Sequence, residues 1–182
     1  AVHLHADWCV NRWGRVIVTL DAHKDMAMPP LPRLGIMLPV ERSMRHVTYY
    51  GYGPDESYID KREHCYVDMF QAEVEDLHEN YIRPQENGSH YHCRYVSLEN
   101  EKYRLLAEAD NYLDFNVSDY TVEELAGKRH NFELEPASGS LLSLDARMMG
   151  IGSNSCGPDL PEEFLRDEAH TVWKVQLQIE EL

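Results

Sequence analysis

The segment between Thr171 and Glu180 constrains this chain most, because apolar Trp173, Val175, Leu177 and Ile179 alternate there with polar Lys174, Gln176 and Gln178. Successive side chains of an extended chain point to opposite faces, so this spacing sets four apolar groups against a core and leaves the polar ones in water. A helix would scatter them around its circumference. The same alternation recurs at Val16, Val18 and Leu20, at Ile36, Leu38 and Val40, at Leu113, Phe115 and Val117, and at Phe132 and Leu134. Half-buried antiparallel strands are its physical meaning. Ala1 to Trp8 alternates like an edge strand, and the start reads as a cut inside a longer protein.

Helical signals are few. Thr121 with Glu124 three residues on predicts a capping box and two helical turns over Val122 to Lys128, before a return to strand at Asn131. Pro161 suits the first position of a second short helix running through Leu165. Gly, Pro, Asn and Ser mark long loops at Met26–Pro32, Gly51–Tyr58, Arg83–Ser89 and Gly150–Pro161. No repeat or shift of composition divides the 182 residues, so 1–182 is expected to form a single all-β domain, an antiparallel sandwich with long loops.

Composition removes several classes of function. With 17 Lys and Arg against 32 Asp and Glu the net charge is −15, and no basic stripe offers itself to phosphates, which argues against a nucleic-acid partner. No apolar run approaches the ~18 residues of a membrane span, so no membrane is expected. Cys9, Cys65, Cys93 and Cys156 form no CxxC pair and no dense disulfide framework, which favours a reduced, cytoplasmic location. On the same ground, the glycosylation sequons at Asn87 and Asn116 are read as chance matches.

Chemistry is harder to find. His90, His92 and Cys93 put nitrogen and sulfur ligands close together, and on a regular strand the two histidines would share a side. The carboxylate such a site wants is missing four or five residues on, where Val96 and Ser97 stand, so no metal site is expected. Acidic pairs such as Glu123-Glu124 and Glu162-Glu163 read as solvated charge, and no GxSxG elbow or dinucleotide loop occurs. Nothing nominates catalytic residues. Tyr49, Tyr50, Tyr52 and Tyr58 bracket a glycine-rich loop; they are either ordinary strand tyrosines or rings able to stack on sugars.

Four segments form an ordered set: Leu31-Pro32-Arg33-Leu34-Gly35, then Gly51-Tyr52-Gly53-Pro54-Asp55-Glu56-Ser57-Tyr58-Ile59-Asp60, then Pro84-Gln85-Glu86-Asn87-Gly88, then Met149-Gly150-Ile151-Gly152-Ser153-Asn154-Ser155-Cys156-Gly157-Pro158. From about Val16 to Leu182 the chain thereby resembles the C-terminal β-sandwich of the large bacterial β-galactosidases, glycoside hydrolase family 2. GxGPxExYxD is the most specific of the shared signatures.

The resemblance implies a galactose mutarotase-like supersandwich, shortened here at its N-terminal side, within an enzyme that releases terminal β-D-galactose from galactosides such as lactose. In the family the catalytic glutamates and the magnesium and sodium sites belong to a (β/α)₈ barrel and its neighbours, so no cofactor is expected in this domain and it should be inactive alone. Its expected partners are the remaining domains or a large subunit, the galactoside substrate, and a second copy of itself. A loop after the Gly-Ile-Gly turn reaches the active site in the family, where enteric members carry a tryptophan that stacks on the leaving sugar. Here Cys156 stands in or near that place, so Asn154, Ser155 and Cys156 are the implied substrate-binding rim, without a ring-sized face. An independent carbohydrate-binding module is the alternative function, and a sugar epimerase on the same kind of sandwich a more distant one.

Overall fold

The alternating segments become strands that pair antiparallel throughout in the computed structural model, which describes residues 1–152 and 158–182. These are β1 (Val2–Val10), β2 (Val16–Lys24), β3 (Arg33–Val40), β4 (His46–Gly53), β5 (Tyr66–Glu73), β6 (Ser89–Glu99), β7 (Tyr103–Ser118), β8 (Ser140–Met148) and β9 (His170–Glu181). The order β1-β2-β9-β7-β6-β4-β5 makes a broad layer, and β3-β8 adds to the far half of β7.

Two layers arise because β7 changes neighbours along its length. Tyr103 to Ala109 pair with β9, whereas Asp114 to Ser118 pair with β8, and the exposed Asp110, Asn111 and Tyr112 lie between. Its partner β6 is irregular at the same level, with register shifts on both sides of Cys93. Strands that switch sheets through a bulge form the corner of a sandwich. Val18 and Leu20, Trp173, Val175 and Leu177, Val47 and Tyr49, Val96 and Leu98 then meet Phe115, Val117, Leu142 and Leu144 in one buried core.

Three expectations change. Ile179 has the inward parity of Trp173, Val175 and Leu177 but is 72% exposed, because β9 runs past the cover of the second layer. Phe132 and Leu134 form no strand. Asn131–Glu133 closes a 3₁₀ turn in which Glu133 accepts from the Arg129 and His130 amides, and this leaves Phe132 86% exposed. Gly51 to Gly53 belong to β4 rather than to a loop, since β4 passes so close to β6 that a Cβ on Gly51 would sit 2.2 Å from the Cys93 sulfur.

The short helices form where expected. α1 (Val122–Gly127) is capped by the Thr121 hydroxyl, which accepts from the Glu124 amide at 3.0 Å, although Glu124 turns away to take the Glu135 amide. Pro161 caps a 3₁₀ turn, Glu162–Phe164. No helix among the described residues is long and apolar enough to cross a membrane. At the edge of the broad layer, β1 overhangs the second layer and leaves Leu4 and Trp8 more than half exposed, although both pair with core-facing residues of β2.

Candidate functional site

The four motif segments, far apart in sequence, meet on the outer face of the smaller layer. That face carries Asp114 and Asn116 of β7 with Ser143 and Asp145 of β8, and all four are buried. Loops cover them where alternation alone would put water.

Each motif contributes a polar clamp. Arg33, at the start of β3, donates to both carboxylate oxygens of Asp145, at 2.5 and 3.2 Å, and reaches Glu86 of the third motif at 3.5 Å. Burial disfavours the Arg33 cation, but the paired Asp145 carboxylate outweighs this and keeps the guanidinium above its ordinary pKa. Glu56 accepts from Lys61, from the Tyr81 hydroxyl and, at 2.8 Å, from the Gly88 amide. Burial pushes its carboxyl up, yet these donors together hold it below the usual range. Ser57 accepts from the Tyr91 amide at 2.9 Å and donates to the Tyr52 carbonyl.

Asp60 closes the arrangement. Its carboxylate accepts from the Ile151 and Gly152 amides at 3.1 and 2.8 Å, while the Met149 and Gly150 amides donate to the Pro32 and Phe164 carbonyls. Gly150 lies so close that a Cβ there would be 2.6 Å from the Asp60 carboxyl carbon. The turn leading towards Asn154, Ser155 and Cys156 is thus held from three sides, although those three implied rim residues lie outside the described part of the structure. Beside it is an open depression of about 380 Å³ lined by Asp60, Lys61, Ile151, Pro158, Leu160 and Phe164, among others. A larger one of about 620 Å³ lies at the other end of β4, around Arg45, His46, Glu99 and Tyr103. No motif residue lines it, so size alone does not mark the site.

Asp114 and Asp145 stand directly opposite each other on β7 and β8. Burial raises the Asp114 carboxyl to about 6 despite amides donated by His92 and Met148, each at 2.8 Å, and raises that of Asp145 too, although Arg33 opposes it there. Two carboxyls in unlike environments are what acid–base chemistry uses. At 4% and 2% exposure, however, neither can touch a substrate, and both serve the fold.

His90, His92 and Cys93 do not converge. His92 has φ of 59° and its amide is held by Asp114, so the bulge breaks the regular pleat that would put both histidines on one side. His90 is buried against Phe115 and Tyr49, and burial lowers its pKa to about 4. Of the four bracketing tyrosines, Tyr49 and Tyr58 are buried and Arg62 lies over Tyr52, while Tyr50 is 39% exposed. Sequence reading flags Arg33, Glu56, Asp60, Gly88, Ile151 and Gly152 as motif members, but neither Asp145 nor which motif meets which, because pairing over such separations leaves no local signal.

Comparison with known proteins places this arrangement. The family model described as "Beta galactosidase small chain" matches residues 1–178. The chain is 40% identical to a β-galactosidase of Actinobacillus pleuropneumoniae over 151 residues, 83% of this chain and 15% of that protein. It is 38% identical to one of Staphylococcus xylosus over 171 residues, 94% of this chain and 17% of that protein. A third, from Vibrio cholerae, is 30% identical over 98% of this chain and 17% of its own length. The chain spans about a sixth of these curated relatives.

Proposed function

The chain belongs to the β-galactosidase small-chain family, and from that premise we propose that it is a single, non-catalytic C-terminal domain of a β-galactosidase, completing the rim of an active site whose catalytic carboxylates lie elsewhere in the enzyme. One observation carries this reading: two carboxylates of the shared motifs are spent on holding the chain together, Asp60 fixing the Ile151–Gly152 turn and Glu56 satisfied inside the polar layer, while Arg33 of the first motif is spent on Asp145. A retaining glycosidase needs two carboxyl groups about 5–5.5 Å apart that reach the sugar. Asp114 and Asp145, the facing pair described here, are sealed from it.

Asn154, Ser155 and Cys156 follow the clamped turn and form the aglycone side of the rim in this reading. Terminal β-D-galactosides such as lactose are the substrates of the complete enzyme, and any magnesium or sodium is held outside this domain. The overhang of β1, with Leu4 and Trp8 uncovered, gives the remaining domains, a large subunit or a second copy an apolar surface to pack on. A reduced, cytoplasmic compartment suits the free thiols of Cys9, Cys65 and Cys93.

Two measurements test the proposal. The purified chain should not hydrolyse a nitrophenyl galactoside, and turnover that survives removal of contaminants would overturn the non-catalytic role. In the complete enzyme, Cys156→Trp should change aglycone affinity by about 1 kcal/mol, the scale of an aromatic contact, and leave the bond-breaking step largely unchanged. An effect on melting temperature alone would remove Cys156 from the rim. Calorimetry with galactose and lactose separates an independent sugar-binding module, which must bind sugar without the rest of the enzyme.

A further inference from the structure

On the outer face of the broad layer, away from the core, β1, β2 and β9 bring histidines into one row. His3, His23 and His170 are direct cross-strand partners, and Asp21 lies two residues from His23 on the same face, opposite His5. Cross-strand partners share a face with Cβ atoms about 5 Å apart, so the row is fixed by register rather than by side-chain chance.

The donor atoms converge. The Asp21 Oδ1 lies 3.2 Å from the His23 Nε2 and 2.8 Å from the His170 Nε2, and the two imidazole rings stack at 4.1 Å with planes 8° apart. Among the described residues, this is the one group of three or more His, Cys, Asp or Glu side chains whose ligand atoms all lie within 4.8 Å of one another. Neighbouring ligand atoms on a tetrahedral zinc, bound at about 2.0–2.1 Å, sit about 3.3 Å apart. The two oxygen–nitrogen separations are therefore close to those a shared cation would impose. Each of the three side chains is about half exposed, so a hydrated ion can reach them. Lys174, further along β9 on the same face, is engaged by Asp110 at 3.2 Å.

We propose that Asp21, His23 and His170, with His3 across the β1–β2 ladder as a fourth donor, form a surface site for a divalent transition cation such as zinc. Two imidazoles and a carboxylate suit this class of ion rather than magnesium, which prefers oxygen ligands and retains its water. The ligands come from adjacent strands, so the ion would clip edge strand β1 and its neighbour β2 to β9. This inference does not depend on the galactosidase reading.

Calorimetric titration of zinc into metal-free protein, purified without a histidine tag, should give one zinc per chain and a higher melting temperature. His23→Gln and His170→Gln should each weaken binding at least about tenfold, His3→Gln less, and His130→Gln, on a distant turn, not at all. These groups are exposed, so circular dichroism should match the wild type. A readout that needs no variant is protection: bound zinc should shield His23 and His170, but not His130, from diethyl pyrocarbonate. Failure of the wild type to take up zinc saturably, equal binding by the His23→Gln/His170→Gln double variant, or equal modification with and without zinc would each overturn the site.

Discussion

The two faces of the smaller layer are built from alternate residues of the same strands yet obey different rules. On the inner face, Phe115, Val117, Leu142 and Leu144 are buried among apolar side chains, where contact is non-directional and roughly the right volume suffices. On the outer face, Asp114, Asn116, Ser143 and Asp145 are as well buried but polar, and each needs a particular partner. The apolar face fixes that the strands pack. The polar face fixes which loops lie over them, because Asp145 is satisfied by Arg33, Asp60 by two loop amides, and Glu56 by Lys61, Tyr81 and a loop amide together.

Four measurements break or sharpen that contrast. Phe115→Ala should cost most, about 4 kcal/mol in denaturant unfolding, since it opens a cavity at a fully buried ring without affecting the loops. Arg33→Ala should cost roughly 3 kcal/mol for a different reason: the side chain removed is partly exposed, but its loss leaves Asp145 buried without its counter-charge. Unlike Phe115→Ala, it should loosen the Pro84–Gly88 segment in hydrogen exchange before the core opens.

His90 touches both regimes, with its ring against Phe115 and its Nδ1 on the Tyr52 carbonyl at 3.3 Å. Burial lowers its pKa to about 4 from the ordinary 6.5, so as pH falls the unfolded chain binds the proton first. The stability that neutral His90 contributes is complete above about pH 6.5 and is lost progressively down to about pH 4. His90→Phe should flatten the pH dependence of unfolding in that window by up to about 3 kcal/mol, and an unchanged slope would show that His90 is not the titrating group.

Asp60→Ala should have the smallest global effect, about 1–2 kcal/mol, because two hydrogen bonds to a half-buried carboxylate are lost at the periphery. Its signature is local: Ile151 and Gly152 amides should exchange much faster while β7 and β9 keep their protection. Uniform loosening would show that the clamp belongs to the core rather than to the rim.

Strands that bury one side were legible. β2, β3 and β9, together with the Leu113–Val117 stretch of β7, follow alternating apolar residues, and Thr121 and Pro161 mark the short helices. β8 escapes this reading because Leu142 to Asp145 are buried on both faces, so its serine and aspartate look like water-facing residues. The Phe132–Leu134 stretch misled because two apolar residues in alternation also fit a turn that Glu133 closes through backbone amides. His90 and His92 misled because a one-residue bulge reverses a side chain without altering sequence spacing.

The amino-acid sequence by itself determined the fold class and the family, since periodicity is local and the four motifs stand in order along the chain. Tertiary structure decided what those motifs do. Arg33 meets Asp145 across 112 residues, Glu56 meets Gly88 across 32 and Asp60 meets Gly152 across 92. His23 faces His170 only because β2 and β9 are neighbours. A buried charge or a ligand cluster is defined by what surrounds it in space, and that surrounding exists only once the strands have chosen their partners.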